Sequence, residues 1–469
     1  MQTLQQQWFG NVRADILAGI VVGLALIPEA LAFAFIVGVD PRVALYASFT
    51  IAVITAFVGG RPGLISAATG AMALVLVSLM ANHGLEYVLA ATILTGIIQL
   101  ILGSLGVANL MRFIPNSVML GFVNALGIMI FITQLPYLVG AGTMTYVFAI
   151  ATLILVYAVP RFFTAIPAPL IAIVVMTAIA LFSGVKLQSI GDLGMMPSSL
   201  PTFFFPDIPL NFETLKIILP YSLALSIVGL LESLLTSQVL DDITDTPSNK
   251  NREARGQGIA NFITGFFGGM AGCALIGQSV INMKSGGRGR LSTLTAGVFL
   301  MFLIIVLGDV VVKIPMPVLA GVMVMVAATT FNWGSFKFLR SAPRSESVVM
   351  LVTVAIILYT HNLAIGVVIG VVLSALFFVA KISRVTVTNH DGVYKIQGPL
   401  FFASTTKFIQ AFDHVNEKRI TIDFENSQLW DESAVGAIFK VVSKLESRGI
   451  NVTMRGLNSS SQQLYEKLL

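Results

Sequence analysis

Two carboxylates, Glu29 and Glu232, stand well inside long apolar runs of this chain, and both are candidates for chemistry. A charge near the middle of a bilayer is expensive, so an acid kept there is read as functional by default. Glu232 lies in Gly229-Leu-Leu-Glu232-Ser233-Leu-Leu-Thr236-Ser237. Ser233, Thr236 and Ser237 fall within about one helical turn of it, which gives a polar stripe in a leucine-rich helix. A buried carboxyl can hold a proton near neutral pH, so Glu232, with Thr236 beside it, is a candidate carrier of a coupling proton. Ionised, it could instead help to hold Na⁺, and the plainer alternative is a structural hydrogen bond between helices. Glu29 follows Pro28, where the missing backbone donor predicts a broken helix. Non-helical backbone at depth is tolerated where it lines a cavity. Glu29 is therefore a second candidate for the coupling ion, or an acid facing an outer aqueous vestibule.

Two short apolar stretches follow Gly63 and Gly272, reading Ser66-Ala-Ala-Thr69-Gly70-Ala71 and Cys273-Ala274-Leu275-Ile276-Gly277-Gln278-Ser279. If each opens a half-helix and the two are inverted, their N-termini face each other near the midplane. Each N-terminus offers unpaired N–H groups and about half a positive charge. Ser66, Thr69, Gly70, Ala71, Ala274, Leu275 and Ile276 would then surround a small anion without any basic side chain, with Ser66 and Thr69 adding hydroxyl donors. Close helix packing is the competing reason for small residues at such places.

The elements that must position these residues are membrane segments. The chain of 469 residues is 56% hydrophobic and 11% charged, with mean hydropathy +0.88. Soluble domains carry about 25% charged residues. Apolar runs follow one another from Ile16 to Ala380 and read as fourteen segments, of which the third (65–81) and the tenth (274–283) are short. About 20 residues are needed to span the hydrocarbon. The single cysteine, Cys273, excludes an intrachain disulfide, and His83, His361, His390 and His414 have no metal-ligand spacing. No metal, resident cofactor or nucleic-acid partner is expected. The first residues, MQTLQQQWFG, do not read as a cleavable signal peptide.

Charge distribution sets the orientation. With a cytoplasmic N-terminus the inner loops hold fifteen Lys and Arg, from Arg13 through Arg61, Arg112 and Lys250 to Arg384, against four outside: Arg42, Lys186, Lys216 and Lys313. That is a strong positive-inside bias. An internal repeat supports the segment count. Phe57-x-Gly59-Gly60-x-x-Gly63 recurs as Phe266-x-Gly268-Gly269-x-x-Gly272, and Ile114-Pro115-x-x-Val118-x-x-Gly121 recurs as Ile314-Pro315-x-x-Val318-x-x-Gly321. Each motif sits at the same place in a half of seven segments. Seven is odd, so the second half is inverted, as in many secondary transporters.

Residues 385–469 carry nine basic and nine acidic groups, so the net charge of +5 belongs to residues 1–384. This tail alternates predicted strands (Tyr394–Phe402, Arg419–Phe424, Asn451–Arg455) with predicted helices (Ser433–Ser447, Ser460–Leu468), a small α/β domain.

Together these residues resemble the SulP family of anion transporters, solute carrier family 26 in animals, over essentially the whole chain. Ile27-Pro28-Glu29-Ala30-Leu31-Ala32 is similar to the family's first-helix motif, and Leu230-Leu-Glu232-Ser233-Leu-Leu-Thr236 to its eighth-helix motif, whose acid is linked to cation coupling. The run Gly268–Ser292 is the most specific match, while Gly398-Pro399-Leu400-Phe401-Phe402 and the helix at Ser433 resemble the STAS domain. The resemblance implies an α-helical polytopic membrane protein of two inverted seven-segment repeats. Segments 1–4 and 8–11 form a core domain and 5–7 and 12–14 a gate domain, followed by the STAS domain. It also implies elevator-like transport, a homodimer in the cell membrane, and substrates such as sulfate, bicarbonate, chloride, oxalate or dicarboxylates. Two departures bear on the driving ion: Ile276 stands where bicarbonate-transporting bacterial members have Thr, and Glu232 where they have Asp. Losing that hydroxyl favours H⁺ over Na⁺ as the co-transported ion. Ser433 matches a phosphorylatable serine of anti-sigma-factor antagonists, but here it reads as a helix N-cap. The STAS domain reads as lacking a final helix and as regulatory or assembling in role, with a cytoplasmic partner a further expectation.

The sequence thus predicts a secondary active transporter of small inorganic anions, of the sulfate or bicarbonate class, by proton symport. Na⁺-coupled symport of bicarbonate or a dicarboxylate, an uncoupled channel or exchanger, and an anion sensor signalling through the STAS domain are the rivals. No nucleophile–base pair supports an enzyme.

Overall fold

The computed structural model describes residues 3–140, 142–162, 167–192, 194, 196–209 and 211–468. The chain forms two compact units, Met1–Val371 and Val372–Leu469. In the first series of elements, α1 spans Val12–Val37, α2 Pro41–Val58, β1 Ser66–Ala68, α3 Gly70–His83, α4 Leu85–Ser104, α5 Asn116–Leu138, α6 Thr143–Ala158 and α7 Ala168–Ser183. In the second, α8 spans Phe212–Thr244, α9 Lys250–Phe266, β2 Gly272–Ala274, α10 Ile276–Lys284, α11 Arg290–Val311, α12 Met316–Thr330, α13 Arg344–Thr360 and α14 Leu363–Ile382. These fourteen helices fall on the fourteen predicted segments. Nine helices among the described residues are long and apolar enough to cross a membrane, and α3 and α7 are shorter apolar helices.

Local chemistry explains the starts and stops. Asn11, Asn211 and Asn249 cap α1, α8 and α9 by accepting from the backbone N–H three residues on, and Gly38 ends α1 at φ 81°. Left-handed backbone of that kind suits glycine. Two expectations are corrected. Pro28 does not break α1, which runs unbroken from Val12 to Val37. Pro28 is buried, so the packing of the surrounding helices supports the helix across the lost backbone hydrogen bond. The third and tenth segments also do not open directly as helices. Each begins with a three-residue strand, and the two strands pair with each other.

The inverted repeat is visible in the packing. Helix α4 packs along α9 and α8; its repeat partner α11 packs along α2 and α1. α12 packs on α6, and the repeat partners of those two helices, α5 and α13, pack on each other. The pairs α2–α9, β1–β2 and α5–α12 map onto themselves. Helices α1–α4 and α8–α11 thereby form one group, and α5–α7 with α12 and α13 another. Contact between the groups runs mainly through α1 with α7 and α12, and through α3 with α5. Glycines allow the closest crossing within the first group: a Cβ on Gly258 of α9 would lie 2.6 Å from Leu100 N and 2.8 Å from Gly96 O of α4.

The second unit carries β3 (Thr386–His390), β4 (Val393–Gln397), α15 (Thr405–Gln410), β5 (Arg419–Asn426), α16 (Glu432–Ser447), β6 (Asn451–Arg455) and α17 (Ser459–Leu468). The sheet order is β3-β4-β5-β6, with β3–β4 antiparallel and β4–β5–β6 parallel. Ile396, Ile422, Phe424, Phe408, Ile438 and Leu445 are fully buried at its core. Ser433 is not the cap of α16. Asp431 is, accepting from Ala434 N at 3.0 Å, while its other oxygen takes Phe402 N.

Candidate functional site

The pairing of β1 with β2 is the centre of the membrane unit. It is antiparallel, with Ser66 opposite Ala274, Ala67 opposite Cys273 and Ala68 opposite Gly272. Helix α3 leaves one end of this ribbon and α10 leaves the other, so both helix N-termini point back towards it. Irregular backbone inside a membrane protein must have its polar groups paired internally. Here side chains of the surrounding helices do that. Ala68 N donates to Ser48 Oγ (3.3 Å), Gly272 N donates to Asn261 Oδ1 (2.9 Å), and Ala274 N donates to Ser233 Oγ (3.0 Å). Ile65 N donates to Ser279 Oγ (3.0 Å), and Leu64 O accepts from Thr293 (2.9 Å). Asn261 also donates to Gln99 Oε1 and Gly272 O, which ties α9 to α4 and to β2.

The two helix ends differ in access. Thr69 caps α3, its Oγ1 accepting from Met72 N at 3.3 Å. Thr69, Gly70 and Ala71 are all buried. A Cβ on Gly70 would meet Phe33 of α1 at 3.0 Å and Ile130 of α5 at 3.3 Å, so these two side chains cover the start of α3. The start of α10 is open. Its N-cap, Leu275, makes no side-chain capping bond, Leu275 and Ile276 are half-buried, and Gly277 is exposed. A Cβ on Gly277 would meet nothing within 4 Å. The first amides of a helix have no partner within it, so α10 presents N–H groups to open space at its positive end.

Glu232 reaches the ribbon from α8. Its Oε2 accepts from the Cys273 thiol at 2.9 Å, and the same sulfur lies 3.2 Å from Thr69 Oγ1. Glu232 is 8% exposed. Glu29 is half-buried on α1 and accepts from Gln278 of α10 at 2.6 Å, one residue from the open Gly277.

The structure thus gathers Thr69, Gly70, Ala71, Ala274, Leu275, Ile276, Glu29 and Glu232 around the ribbon and its two helix starts. Two hydroxyls are engaged elsewhere. Ser66 Oγ accepts from Gln257 Nε2 at 2.6 Å, and Thr236 Oγ1 donates back to Glu232 O of its own helix at 2.7 Å. Sequence reasoning overlooked Cys273, Gln278, Asn261 and Gln257. The last two had a signal: Glu253, Gln257, Asn261 and Thr264 recur at helical spacing along α9, and all are buried. Among the described residues no group of three or more His, Cys, Asp or Glu could hold a metal ion.

Comparison with known proteins agrees with this architecture. The model of the sulfate permease family matches residues 12–154 and 141–353, and that of the STAS domain matches residues 383–468. The protein named "Putative sulfate transporter YbaR" of Bacillus subtilis is 57% identical over 99% of each chain. The bicarbonate transporter BicA of Picosynechococcus is 29% identical over 82% of this chain and 73% of its own. Among solved structures, the transmembrane domain of a cyanobacterial BicA superposes with TM-score 0.67 at 26% identity, over 78% of this chain and 98% of that one. Murine Slc26a9 shares the fold at TM-score 0.80 and 19% identity, over 97% of this chain and 87% of its own. These relatives are transporters, not enzymes. The chain belongs to the sulfate permease (SulP) family of membrane anion transporters and carries a STAS domain after its membrane unit.

Proposed function

We propose that this protein is a secondary active transporter that carries a small inorganic anion of the sulfate or bicarbonate class together with protons. The observation that carries the reading is the placement of Glu232: its carboxylate meets Cys273 in β2, beside the N-cap of α3 and one strand from the open start of α10. An anion held by the α10 amides and a proton on Glu232 would share one small region. Protonation removes a negative charge from that region, so proton and anion favour each other's binding.

Proton coupling is preferred to Na⁺ because the oxygen set around Glu232 is poor. Thr236 turns its hydroxyl to its own helix, Cys273 offers sulfur, and Ile276 has no side-chain oxygen to offer. Hard cations such as Na⁺ want several oxygen ligands. The division of helices into two packed groups supports movement of one group against the other, as an elevator requires. The charge bias of the loops supports a cell-membrane protein with a cytoplasmic N-terminus and STAS domain, and a homodimer belongs to the same reading.

The test is uptake of labelled sulfate, and separately of labelled bicarbonate, into proteoliposomes under an imposed inward proton gradient. Accumulation above equilibrium is expected for one of them, and Glu232→Gln should abolish the gradient-driven part. Unchanged proton-driven uptake in Glu232→Gln would sink the coupling role.

A further inference from the structure

On the face carrying the α2–α3, α8–α9 and α10–α11 connections lies a cavity of about 1080 Å³. Arg61, Lys250, Arg252, Arg288 and Arg290 line it, and no acidic side chain among the described residues does. It is separate from the anion seat. It sits at the C-terminal end of α10, touching Met283, whereas the open amides lie at the other end. A nine-residue helix sets these ends about 13 Å apart.

Membrane topology calls for basic residues in these loops, but not for their convergence on one hollow. Arg290 is 2% exposed and Arg61 8%. Arg290 leans on the carbonyls of Ala56 and Gly59 and on Gln7, and Arg252 leans on the carbonyls of Val58 and Phe57. Neither carbonyl set neutralises a charge. Asp241 is shared between Arg61 and Lys250. Burial pushes the Arg61 guanidinium below its usual range; Asp241 and, more weakly, Glu253 behind the Gly60–Arg61 backbone pull it back, and Arg288 pushes it down further. Arg288 is exposed, and its guanidinium donates to the Met283 sulfur at 3.5 Å.

The inverted repeat supplies an internal comparison. By the motif register, Arg61 corresponds to Met270 in the second half. The hollow built from the corresponding ends of α1, α3 and α4 is lined by Phe35, Gly38, Val39, Asp40, Met80, Leu85 and Tyr137 and has no basic side chain. The repeated backbone by itself thus does not make such a hollow basic. The two hollows lie on opposite faces, and the loop charge bias accounts for which face is basic, not for the convergence of five basic side chains on one cavity.

We propose that this cavity is a second anion site, specific for a phosphate-bearing molecule the size of a nucleotide or a lipid headgroup. Converging guanidinium groups bind phosphate oxygens through paired, charge-assisted hydrogen bonds. Pockets of about 300–1,000 Å³ take molecules well above the size of sulfate. A bound phosphate would brace the loop entering β1 and the loop leaving α10, so it would act on the elements that hold the transported anion without lying in its path.

The test uses the full chain in two arms. Delipidated protein in detergent is titrated with inorganic pyrophosphate and with ATP, while protein in nanodiscs of phosphatidylcholine is compared with protein in nanodiscs containing phosphatidylglycerol. Thermal unfolding is the readout in both. A saturable rise in Tm is expected, in the first arm for a free phosphate compound and in the second for a lipid headgroup. The double variant Arg252→Gln/Arg288→Gln should weaken the effect at least tenfold, whereas Arg344→Gln, an exposed basic residue elsewhere, should leave it intact. If the double variant folds poorly, Arg288→Gln alone serves, since that side chain is exposed. No rise in either arm, or an equal rise in the arginine variant, overturns the proposal.

Discussion

The thiol of Cys273 donates to the carboxylate of Glu232 at 2.9 Å, and the neighbouring residues repeat the link, with Ala274 N donating to Ser233 Oγ at 3.0 Å. Helix α8 thus grips β2 twice, once by a side chain and once by its backbone. The sulfur also touches Thr69, the cap of α3, at 3.2 Å. A change of protonation at Glu232 therefore acts, through the Cys273 sulfur, on Thr69, the residue that follows β1 and caps the first half-helix.

Removing the thiol should uncouple this chain of contacts. In Cys273→Val a buried carboxyl oxygen loses its donor, which costs about 1–3 kcal/mol. Cys273→Ser keeps a donor there. The valine variant should unfold at lower temperature and lose most proton-driven uptake, while the serine variant keeps both within a few-fold. A valine variant as stable and active as the native protein would show that the contact is incidental.

Two glycines separate packing from function. Gly258→Ala drives a methyl against Leu100 N and Gly96 O, where α4 and α9 cross. Overpacking of that kind costs about 1–3 kcal/mol. Gly277→Ala meets nothing within 4 Å, so folding should not suffer. Its methyl would stand in the space before the α10 amides and raise the KM for the transported anion several-fold. Thermal unfolding and concentration-dependent uptake, measured on both variants, distinguish the two outcomes. A Gly277→Ala protein with unchanged KM would place the anion elsewhere.

The fourteen helices were legible because apolar runs of the right length, with charges sorted between loops, leave little freedom in a bilayer. The two motif pairs gave the inverted repeat for the same reason, since Gly59-Gly60 and Gly268-Gly269 recur at equivalent places. The three-residue strands were not legible. Alanine and glycine carry no period over so short a span, and pairing between residues 66 and 274 is a long-range fact. Pro28 misled because a proline's cost depends on the helices around it. Cys273 opens the second short stretch but has no partner in sequence, and it acquires its role only when α8 brings Glu232 beside it. In the tail, β3 was missed although Asp391-Gly392 is a hairpin signal, and both residues have positive φ (51° and 80°) as a two-residue turn requires.

Acid should loosen the STAS domain through Asp423. Its carboxyl is held below the ordinary range, first by the backbone N–H of Glu425 and then by Arg455 at 2.9 Å, with burial opposing. The Arg455 side chain is largely exposed, so the ion pair itself contributes little. The carboxyl is buried, so the charged form depends on that backbone amide. A depressed folded-state pKa gives stability that is present above the unfolded value, about 3.9, and lost as pH falls through the lower folded value. Asp413, which is exposed, and Glu417, which is half-buried, are depressed too, but both are less buried than Asp423, so they should add less. With Trp8 and Trp333 replaced by Phe, Trp430 fluorescence would report unfolding of this part of the full-length protein. Denaturant midpoints should hold from pH 7 to about 4 and then fall, and Asp423→Asn should flatten that fall while lowering the plateau. An unchanged acid slope in Asp423→Asn would assign the sensitivity to Asp413 and Glu417 instead.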